Sequence, residues 1–231
     1  MNPSLFGKVI AVAGGFGALG RAVGDALVVS GARVALIDKA PSTRGVPEGV
    51  LSLGGIDLTE PAQARDALGR VASHFGRLDG LVNVAGAFRW EKIEGGSVEL
   101  WDRLYSLNVR TALLASQAAL PHLLACGNGR IVNVGALAAE HAGLGMGAYA
   151  ASKAGVARLT EAMAEEFKDR AITVNAVLPH IIDTPANRDD MPQADVRRWV
   201  TPGALAEVIL FLLSDAAAPV TGALIPVKGR G

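Results

Sequence analysis

Short, continuous apolar segments alternate along this chain with longer helical patterns, and this alternation constrains the fold more than any other feature. Strands that are buried on both faces have such continuous apolar runs. The runs are Lys8–Ala13, Arg33–Ile37, Leu78–Ala85, Arg130–Val134 and Ile172–Leu178, with weaker ones at Val50–Leu53 and Ala223–Val227. The helical patterns are Leu19–Ser30, Glu60–Phe75, Leu100–Cys126, Ala148–Asp169 and Pro202–Ser214. This order predicts an α/β fold, a parallel sheet with helices on both faces.

Length, charge and cysteine content narrow the class of protein. A chain of 231 residues is expected to form one domain, over residues 1–231. Its 22 Lys and Arg balance 22 Asp and Glu without a basic block, which argues against nucleic-acid binding. No stretch approaches the roughly 18 apolar residues of a membrane span. The lone Cys126 favours a cytoplasmic protein, and the absence of a His or Cys cluster predicts no metal.

A glycine-rich turn follows the first predicted strand and opens the first predicted helix. Gly14, Gly15, Gly17 and Gly20 let the backbone approach a pyrophosphate, which the N-terminus of the helix also attracts. Asp38 closes the second strand, where an acid binds a ribose 2′-hydroxyl. The turn alone is also compatible with a tight strand-to-helix connection. With Asp38 it favours a dinucleotide site.

The same acid favours NAD over NADP as the cofactor, because a carboxylate repels a 2′-phosphate. Lys39 and Arg44 lie close to it in sequence and weaken this preference, so NADP stays possible. No Lys-Ser or Lys-Thr pair follows the glycines, which excludes the phosphate loop of a nucleoside triphosphatase.

Tyr149 and Lys153 are one helical turn apart and share a face of a predicted helix. A phenol with a pKa near 10 is a poor acid–base group at neutral pH, and a nearby cation lowers that pKa by roughly 1–3 units. The pair therefore suits proton exchange with a carbonyl or an alcohol while hydride moves to or from a nicotinamide. Such a pair alone is common on ordinary helices.

Taken together, these motifs resemble the classical short-chain dehydrogenase/reductase family over almost the whole chain. The resemblance rests on the glycine-rich turn, Asp57, Asn83–Gly86, Asn108, Tyr149 with Lys153, and the NAVLP run at Asn175–Pro179. It implies a single, doubly wound, Rossmann-type parallel sheet of seven strands. It also implies that Tyr149 is the acid–base, that Lys153 binds the nicotinamide ribose, and that Asn108 holds a water that links Lys153 to a proton relay.

Further roles follow from the resemblance. Asp57 and Leu58 are expected to flank the adenine, and Ile182–Thr184 to meet the nicotinamide amide. The two long helical patterns, Leu100–Cys126 and Ala148–Asp169, resemble the family's dimer-forming pair, which implies a homodimer or homotetramer. The full set of expected cofactor contacts is Gly14, Gly15, Phe16, Gly17, Leu19, Asp38, Asp57, Leu58, Asn83, Ala85, Gly86, Tyr149, Lys153, Pro179, Ile182 and Thr184.

Several positions depart from the family pattern. The family usually places a catalytic Ser 13 residues before its Tyr, where this chain has Ala136. Losing such a donor without replacement costs on the order of 10²–10³ in rate. The enzyme is therefore weak or inactive, or another group or a water replaces the donor, or the substrate needs none. Smaller departures are Ala13 for Thr, Ala18 for the middle Gly of the turn, and His180 for Gly.

A second resemblance supports a substrate that needs no Ser. The segment Asn175–Gly229 is similar to the corresponding part of dihydropteridine reductases, which keep the Tyr and Lys, lack the Ser and use NADH. Their substrate is a quinonoid dihydropterin. Phe88 stands where those reductases carry a Trp, and it can stack on a flat ring or simply pack within the fold.

Candidate substrate residues lie in two further segments. Residues 183–201 are expected to form a short lid, with Met191, Val196 and Trp199 as apolar candidates on a helix. Three lid arginines, Arg188, Arg197 and Arg198, either meet an anion or form a solvated face. In the family, the stretch between Ala136 and Tyr149 lines the pocket. It contains Met146 and His141, and His141 is a candidate for the missing donor.

The sequence thus predicts an NAD(P)(H)-dependent oxidoreductase acting on a small carbonyl or a pterin-like substrate. Two alternatives stay open: a 3-oxoacyl thioester reductase, and a catalytically weak NAD-binding sensor or scaffold.

Overall fold

The computed structural model describes residues 5–41 and 47–230, so Arg44 lies outside the described residues. Within them, seven parallel strands form one sheet in the order β3-β2-β1-β4-β5-β6-β7. The strands are β1 (Val9–Ala13), β2 (Arg33–Ile37), β3 (Leu51–Leu53), β4 (Gly80–Asn83), β5 (Gly129–Val134), β6 (Ile172–Pro179) and β7 (Leu224–Val227). The predicted fold class and all seven predicted strands are confirmed.

Helices cover both faces of this sheet. They are α1 (Ala18–Val29), α2 (Pro61–Phe75), α3 (Val98–Tyr105), α4 (Thr111–Cys126), α5 (Gly147–Phe167), α6 (Pro185–Asp190) and α7 (Pro202–Leu213). Among the described helices, none is both long and apolar enough to cross a membrane.

Two apolar cores lie on opposite faces of the sheet, which explains why its strands are apolar throughout. In β1, Val9 and Ala11 face the core shared with α2, α4 and α5, whereas Ile10 and Val12 face the core shared with α1 and α7. Neighbouring residues of a strand point to opposite faces, so both faces of the inner strands are mostly apolar. Asn83 in β4 and Asn133 in β5 are buried polar exceptions.

The segment predicted as one helix, Leu100–Cys126, is not uniform. Its first helix starts at Val98, because the Oγ atom of Ser97 caps it by accepting a hydrogen bond from the Leu100 N–H at 3.3 Å. A π-helical turn, Ser106–Arg110, then separates α3 from α4. A π-turn holds one extra residue and often marks a functional position. Here it contains Asn108.

The expected single lid helix is also wrong. Residues 183–201 contain the six-residue helix α6 and a short 3₁₀ turn at Val196–Arg198. A backbone bridge between Ile182 and Val200 closes the base of this segment. The Asp183 N–H donates to the Val200 carbonyl at 2.8 Å, and the Val200 N–H donates to the Ile181 carbonyl at 2.9 Å. These contacts hold the segment as a loop with two anchored ends.

Candidate active site

A cavity of about 600 Å³ opens at the carboxyl ends of the strands, between the first helix and the segment that follows β4. The order of strands reverses between β1 and β4, and ligands of open α/β sheets bind in the crevice at such a point. Its volume lies within the range of ligand pockets. The lining residues are Gly14, Gly17, Ala18, Leu19, Gly20, Asp38, Lys39, Ile56, Asp57, Leu58, Thr59, Val84, Ala85, Gly86, Leu107, Thr111, Thr184, Pro185 and Ala186.

Two glycines of the first turn are required by the fold. Gly14 has a φ of +80°, and a Cβ there would lie 2.6 Å from the backbone nitrogen of Ala85. A Cβ at Gly20 would lie 2.1 Å from the Gly14 carbonyl oxygen. Gly17 is different, since the nearest atom to a Cβ there is 3.8 Å away. The turn thus brings β1, α1 and the end of β4 into close backbone contact.

The N-terminus of α1 faces the cavity without a side-chain cap. The first N–H groups of a helix have no partner within the helix and attract anions such as a pyrophosphate. Ala18, which replaces the middle Gly of the family pattern, is the first helical residue and is exposed on the cavity wall.

Asp38 fixes the turn from the neighbouring strand. Its Oδ2 atom accepts a hydrogen bond from the Phe16 N–H at 2.9 Å, and its Oδ1 atom accepts one from the Ala40 N–H at 3.0 Å. The carboxylate also lines the cavity. It therefore presents a negative charge to a ligand and holds the loop that binds the ligand.

An ion pair lies at the same end of the cavity as Asp38. Lys39 Nζ is 2.6 Å from Asp57 Oδ2, and Asp57 Oδ1 accepts hydrogen bonds from the Thr59 N–H and hydroxyl at 3.0 and 2.7 Å. The hydrogen bond from Lys39, followed by those from Thr59, lowers the pKa of Asp57 from 3.8 to about 2. Lys39 is therefore already paired with an acid of this chain, Asp57.

Tyr149 and Lys153 lie on α5, one turn apart, and both titrate away from their usual values. Lys153 Nζ donates to the Val134 carbonyl oxygen at 2.8 Å, at the end of β5. Burial lowers the pKa of Lys153 from 10.5 to about 8. Burial also raises the pKa of Tyr149 from 10.0 to about 12. The shift of the Tyr149 pKa is opposite to the lowering expected from its neighbour Lys153, and the phenol is protonated at neutral pH.

The Asn108 side chain is fully occupied in holding the loop after β4. Its Oδ1 atom accepts from the Ala87 N–H at 2.7 Å, and its Nδ2 atom donates to the Ala87 carbonyl at 3.0 Å and to Ser152 Oγ at 2.8 Å. An amide has two N–H donors, and both are used. The Asn108 amide therefore has no N–H left to donate to the expected water, whereas its Oδ1 atom keeps a second lone pair.

Gly86 connects the cavity to the Tyr–Lys pair. It lines the cavity, and a Cβ at this position would lie 2.6 Å from Asn108 Oδ1 and 3.4 Å from Lys153 Nζ. The Lys153 ammonium group therefore lies directly behind the cavity wall that Gly86 forms. Only a residue without a side chain leaves room for both neighbours.

Some expected cofactor residues do not line this cavity. Phe16 contributes its N–H to Asp38, and a Cβ at Gly15 would strike the Leu36 side chain at 2.7 Å. Pro179 pairs with Val227 in the sheet, and Ile182 packs against the second core. None of these four residues lines the cavity.

Asn83 also lies outside the cavity. Its Nδ2 atom donates to Ser116 Oγ at 3.1 Å and to Asn133 Oδ1 at 2.8 Å. Asn133 in turn donates to Thr160 Oγ1 at 2.9 Å, so the amides join β4 and β5 to helices α4 and α5. Asn83 lies two residues after Leu81, on the same face of the strand, and this places its side chain under the helices.

The substrate candidates fall into exposed and buried groups. The rings of Phe88 and Tyr149 meet edge to face, with centroids 4.9 Å apart. His141 is exposed and Met146 is half-buried. Ala136 and Trp199 are buried, and Trp199 follows the 3₁₀ turn of the lid rather than lying on a lid helix.

The three lid arginines have partners on the lid and its neighbour. Arg188 pairs with Asp183 and Arg197 with Asp195, each through two hydrogen bonds. Arg198 donates to the Arg230 carbonyl at 3.2 Å. All three side chains are exposed, as a solvated face requires, and binding of an anion stays a prediction.

Leu107, Thr111, Ile56, Thr59, Pro185 and Ala186 line the cavity but were not expected from the sequence. Leu107 and Thr111 flank Asn108 in the π-turn region, and the Thr111 hydroxyl donates to the Leu107 carbonyl at 2.6 Å. Leu107 and Thr111 are four residues apart and share a helix face.

Comparison with known proteins finds relatives over nearly the whole chain. The family model for short chain dehydrogenases matches residues 8–195. The chain is 35% identical to 2-(S)-hydroxypropyl-CoM dehydrogenase 3 of Xanthobacter autotrophicus, covering 99% of this chain and 98% of that protein. It is 32% identical to the 3-oxoacyl-(acyl-carrier-protein) reductase FabG of Thermotoga maritima, covering 97% and 98%. Its structure matches the ligand-free aldohexose dehydrogenase of Thermoplasma acidophilum with a TM-score of 0.89 and 26% identity, covering 100% and 96%.

Proposed function

Since this chain belongs to the short-chain dehydrogenase family, we propose that it is an oxidoreductase that uses NAD(H) and acts on a small carbonyl compound or the corresponding alcohol. The observation that carries the proposal is the placement of Lys153 behind Gly86, at the wall of a cavity that begins at the glycine-rich turn. In this proposal the crevice holds the dinucleotide, and Tyr149 and Lys153 on α5 supply the proton donor and its cation.

Tyr149 is the proton donor in this proposal. Bound NADH supplies the hydride that reaches the carbonyl carbon. The carbonyl oxygen takes the proton of the Tyr149 hydroxyl, which is protonated at neutral pH because burial raises its pKa to about 12. Lys153 is positively charged below its pKa of about 8 and stabilises the phenolate that remains. These protonation states favour carbonyl reduction at neutral pH.

Two charges support NAD as the preferred cofactor. Asp38 lines the cavity where the adenosine ribose is expected, and its charge repels a 2′-phosphate. Lys39, the nearest cation in sequence, is paired with Asp57. We expect a higher kcat/KM with NADH than with NADPH, and Asp38→Ser to narrow that preference. Equal use of both cofactors by the unchanged protein would contradict the assignment.

For the substrate, two observations support including a pterin-like acceptor. Ala136 offers no donor to a carbonyl oxygen, and the dihydropteridine reductases that the sequence resembles lack this donor as well. Phe88 is 45% exposed beside Tyr149 and offers an aromatic face to a flat ring. Arg188 and Arg197 are paired with acids, which disfavours an anionic substrate that would need them.

Two alternatives differ in their support. Reduction of 3-oxoacyl thioesters is supported by the similarity to FabG. A binding protein without catalysis is supported by Ala136 alone, and the complete set of Tyr149, Lys153 and Asn108 disfavours it. In either case we propose a cytoplasmic homodimer or homotetramer associated through α4 and α5.

The test is NADH oxidation by the purified protein with quinonoid dihydropterin, a ketone panel and a 3-oxoacyl thioester. Tyr149→Phe is the matched control, because it removes the proton donor and keeps the ring. Turnover that this variant loses supports the proposal and identifies the substrate class. NADH binding without turnover of any compound would overturn it and favour the binding protein.

A further inference from the structure

The ring of Tyr149 is held by one aromatic neighbour. Phe88 meets it edge to face, with the ring planes at 88° and the centroids 4.9 Å apart. This is the preferred geometry of aromatic pairs. Phe88 is 45% exposed, so it has little share in the main cores, and its principal ring contact is the proposed acid–base.

The loop that carries Phe88 is fixed from beneath. Asn108 binds both the N–H and the carbonyl of Ala87, the residue directly before Phe88. The same amide donates to Ser152 Oγ, and the Ser152 hydroxyl donates to the Tyr149 carbonyl at 2.7 Å. One buried side chain therefore sets both the backbone of Tyr149 and the loop that presses a ring against its phenol.

Hydrogen bonds within the described part of the protein do not orient the phenol itself. Among the residues that the structure describes, none makes a hydrogen bond with the Tyr149 hydroxyl. The side chain of Ala136 is a methyl group, which can neither donate nor accept a hydrogen bond. The direction of the hydroxyl is thus left to the packing of the ring.

We propose that Phe88 is a positioning residue for Tyr149, and that its edge-to-face contact aims the phenol in a site that lacks a hydroxyl at position 136. The proposal rests on the function proposed above. It predicts that the loss of the Phe88 ring misaligns the Tyr149 phenol and lowers kcat. A misaligned proton donor slows the chemical step, while the cofactor crevice stays intact.

Kinetics of Phe88→Leu test the role. We expect kcat to fall about three- to tenfold, the range that an aromatic pair supplies, with the KM for NADH unchanged. Phe88→Trp keeps an aromatic ring and retains most of the activity. Trp90→Leu is the matched control, because Trp90 is exposed in the same loop and contacts Gly145. Equal losses in the Leu variants of positions 88 and 90 would overturn the proposal.

A second comparison uses Ala136→Ser. If packing by Phe88 stands in for an orienting hydroxyl, the new Ser restores kcat more strongly in Phe88→Leu than it raises kcat in the unchanged protein. Equal effects in both backgrounds would show that the two positions act independently.

The phenol can also be observed without any substrate. The chain has two tyrosines, Tyr105, which is exposed, and Tyr149, so a ¹³C label at the ring carbon that bears the hydroxyl gives two signals. In the unchanged protein we expect no ionisation of Tyr149 up to about pH 11. Phe88→Leu admits water and lowers the pKa of Tyr149 towards 10.

Tyr149→Phe assigns the signal. An unchanged titration in Phe88→Leu would overturn the proposal even if no substrate were found. Failure of the whole compound panel with a shifted titration would overturn the proposed function alone.

Discussion

Gly86→Ala is the substitution whose consequence follows most directly from the structure. The new Cβ would lie 2.6 Å from Asn108 Oδ1, where an ordinary contact needs 3.4 Å, so one of the two must move by about 0.8 Å. Overpacking of this kind costs about 1–3 kcal/mol. If Asn108 loses its hydrogen bond from Ala87, an unpaired buried group adds about 1–3 kcal/mol.

The total predicts a loss of about 2–6 kcal/mol in the free energy of unfolding, and a fall in Tm of about 4–24 °C for a domain of this size. Carbonyl reduction should slow at least tenfold, because a shift of Asn108 disturbs Ser152 and, through it, the Tyr149 backbone. Misplacement of a reacting group by about 1 Å costs up to 10² in rate. Thermal unfolding followed by circular dichroism, and NADH oxidation kinetics, measure the two effects.

Gly69→Ala is the matched control. Gly69 lies within α2, and no atom lies within 4 Å of a Cβ at this position. The same chemical change there should raise stability by about 0.4–1 kcal/mol. If Gly86→Ala behaves like Gly69→Ala, Asn108 and the loop after β4 leave room for a Cβ, and this prediction is wrong.

Three further predictions concern the turn and the two ionised groups. Gly20→Ala should lower Tm by more than about 5 °C, because its Cβ meets a backbone carbonyl at 2.1 Å, while Gly17→Ala should leave Tm within about 2 °C. Equal Tm values for the two variants would contradict this. The pKa of Asp57 is lowered from 3.8 to about 2, so its pairing stabilises the fold above about pH 4 and is lost as the pH falls through 2. In urea unfolding, Lys39→Met should be less stable by at most about 1 kcal/mol at pH 6, since Lys39 is mostly exposed, and the difference should vanish near pH 2. A difference that persists at pH 2 would refute the role of the pair. The rate of carbonyl reduction should decline as the pH rises through about 8, where Lys153 loses its charge, and Lys153→Met should remove this limb. A flat profile from pH 6 to 10 in the unchanged protein would contradict the assignment.

The strands were predictable because each faces two cores, a condition that leaves a continuous apolar run in the sequence. Side chains alternate between the two faces of a strand, and in β4 this alternation places Asn83 with Leu81 on the helix side and away from the cavity. A motif match assigned Asn83 to the cofactor, whereas counting residues along the strand assigns it to the sheet. Local periodicity was the more informative signal at this position.

The features that the sequence did not predict depend on contacts between residues that are far apart in the sequence. The π-turn at Ser106–Arg110 lets Asn108 reach Ala87, 21 residues away, and no feature of the local sequence signals it. Trp199 is buried next to Val200, whose bridge to Ile182 spans the whole lid segment. The pair of Asp183 and Arg188, five residues apart, was within reach of sequence inspection.

The two outer strands of the sheet bear on how this protein behaves at high concentration. An open sheet edge offers unpaired N–H and carbonyl groups that can recruit strands from partly unfolded neighbours and begin aggregation. At one edge, β3 has three residues, which is too short to guide a foreign strand. At the other, β7 carries Pro226, which has no N–H to donate. Both edges are therefore poor templates for added strands, so the sheet itself protects the protein against edge-to-edge aggregation.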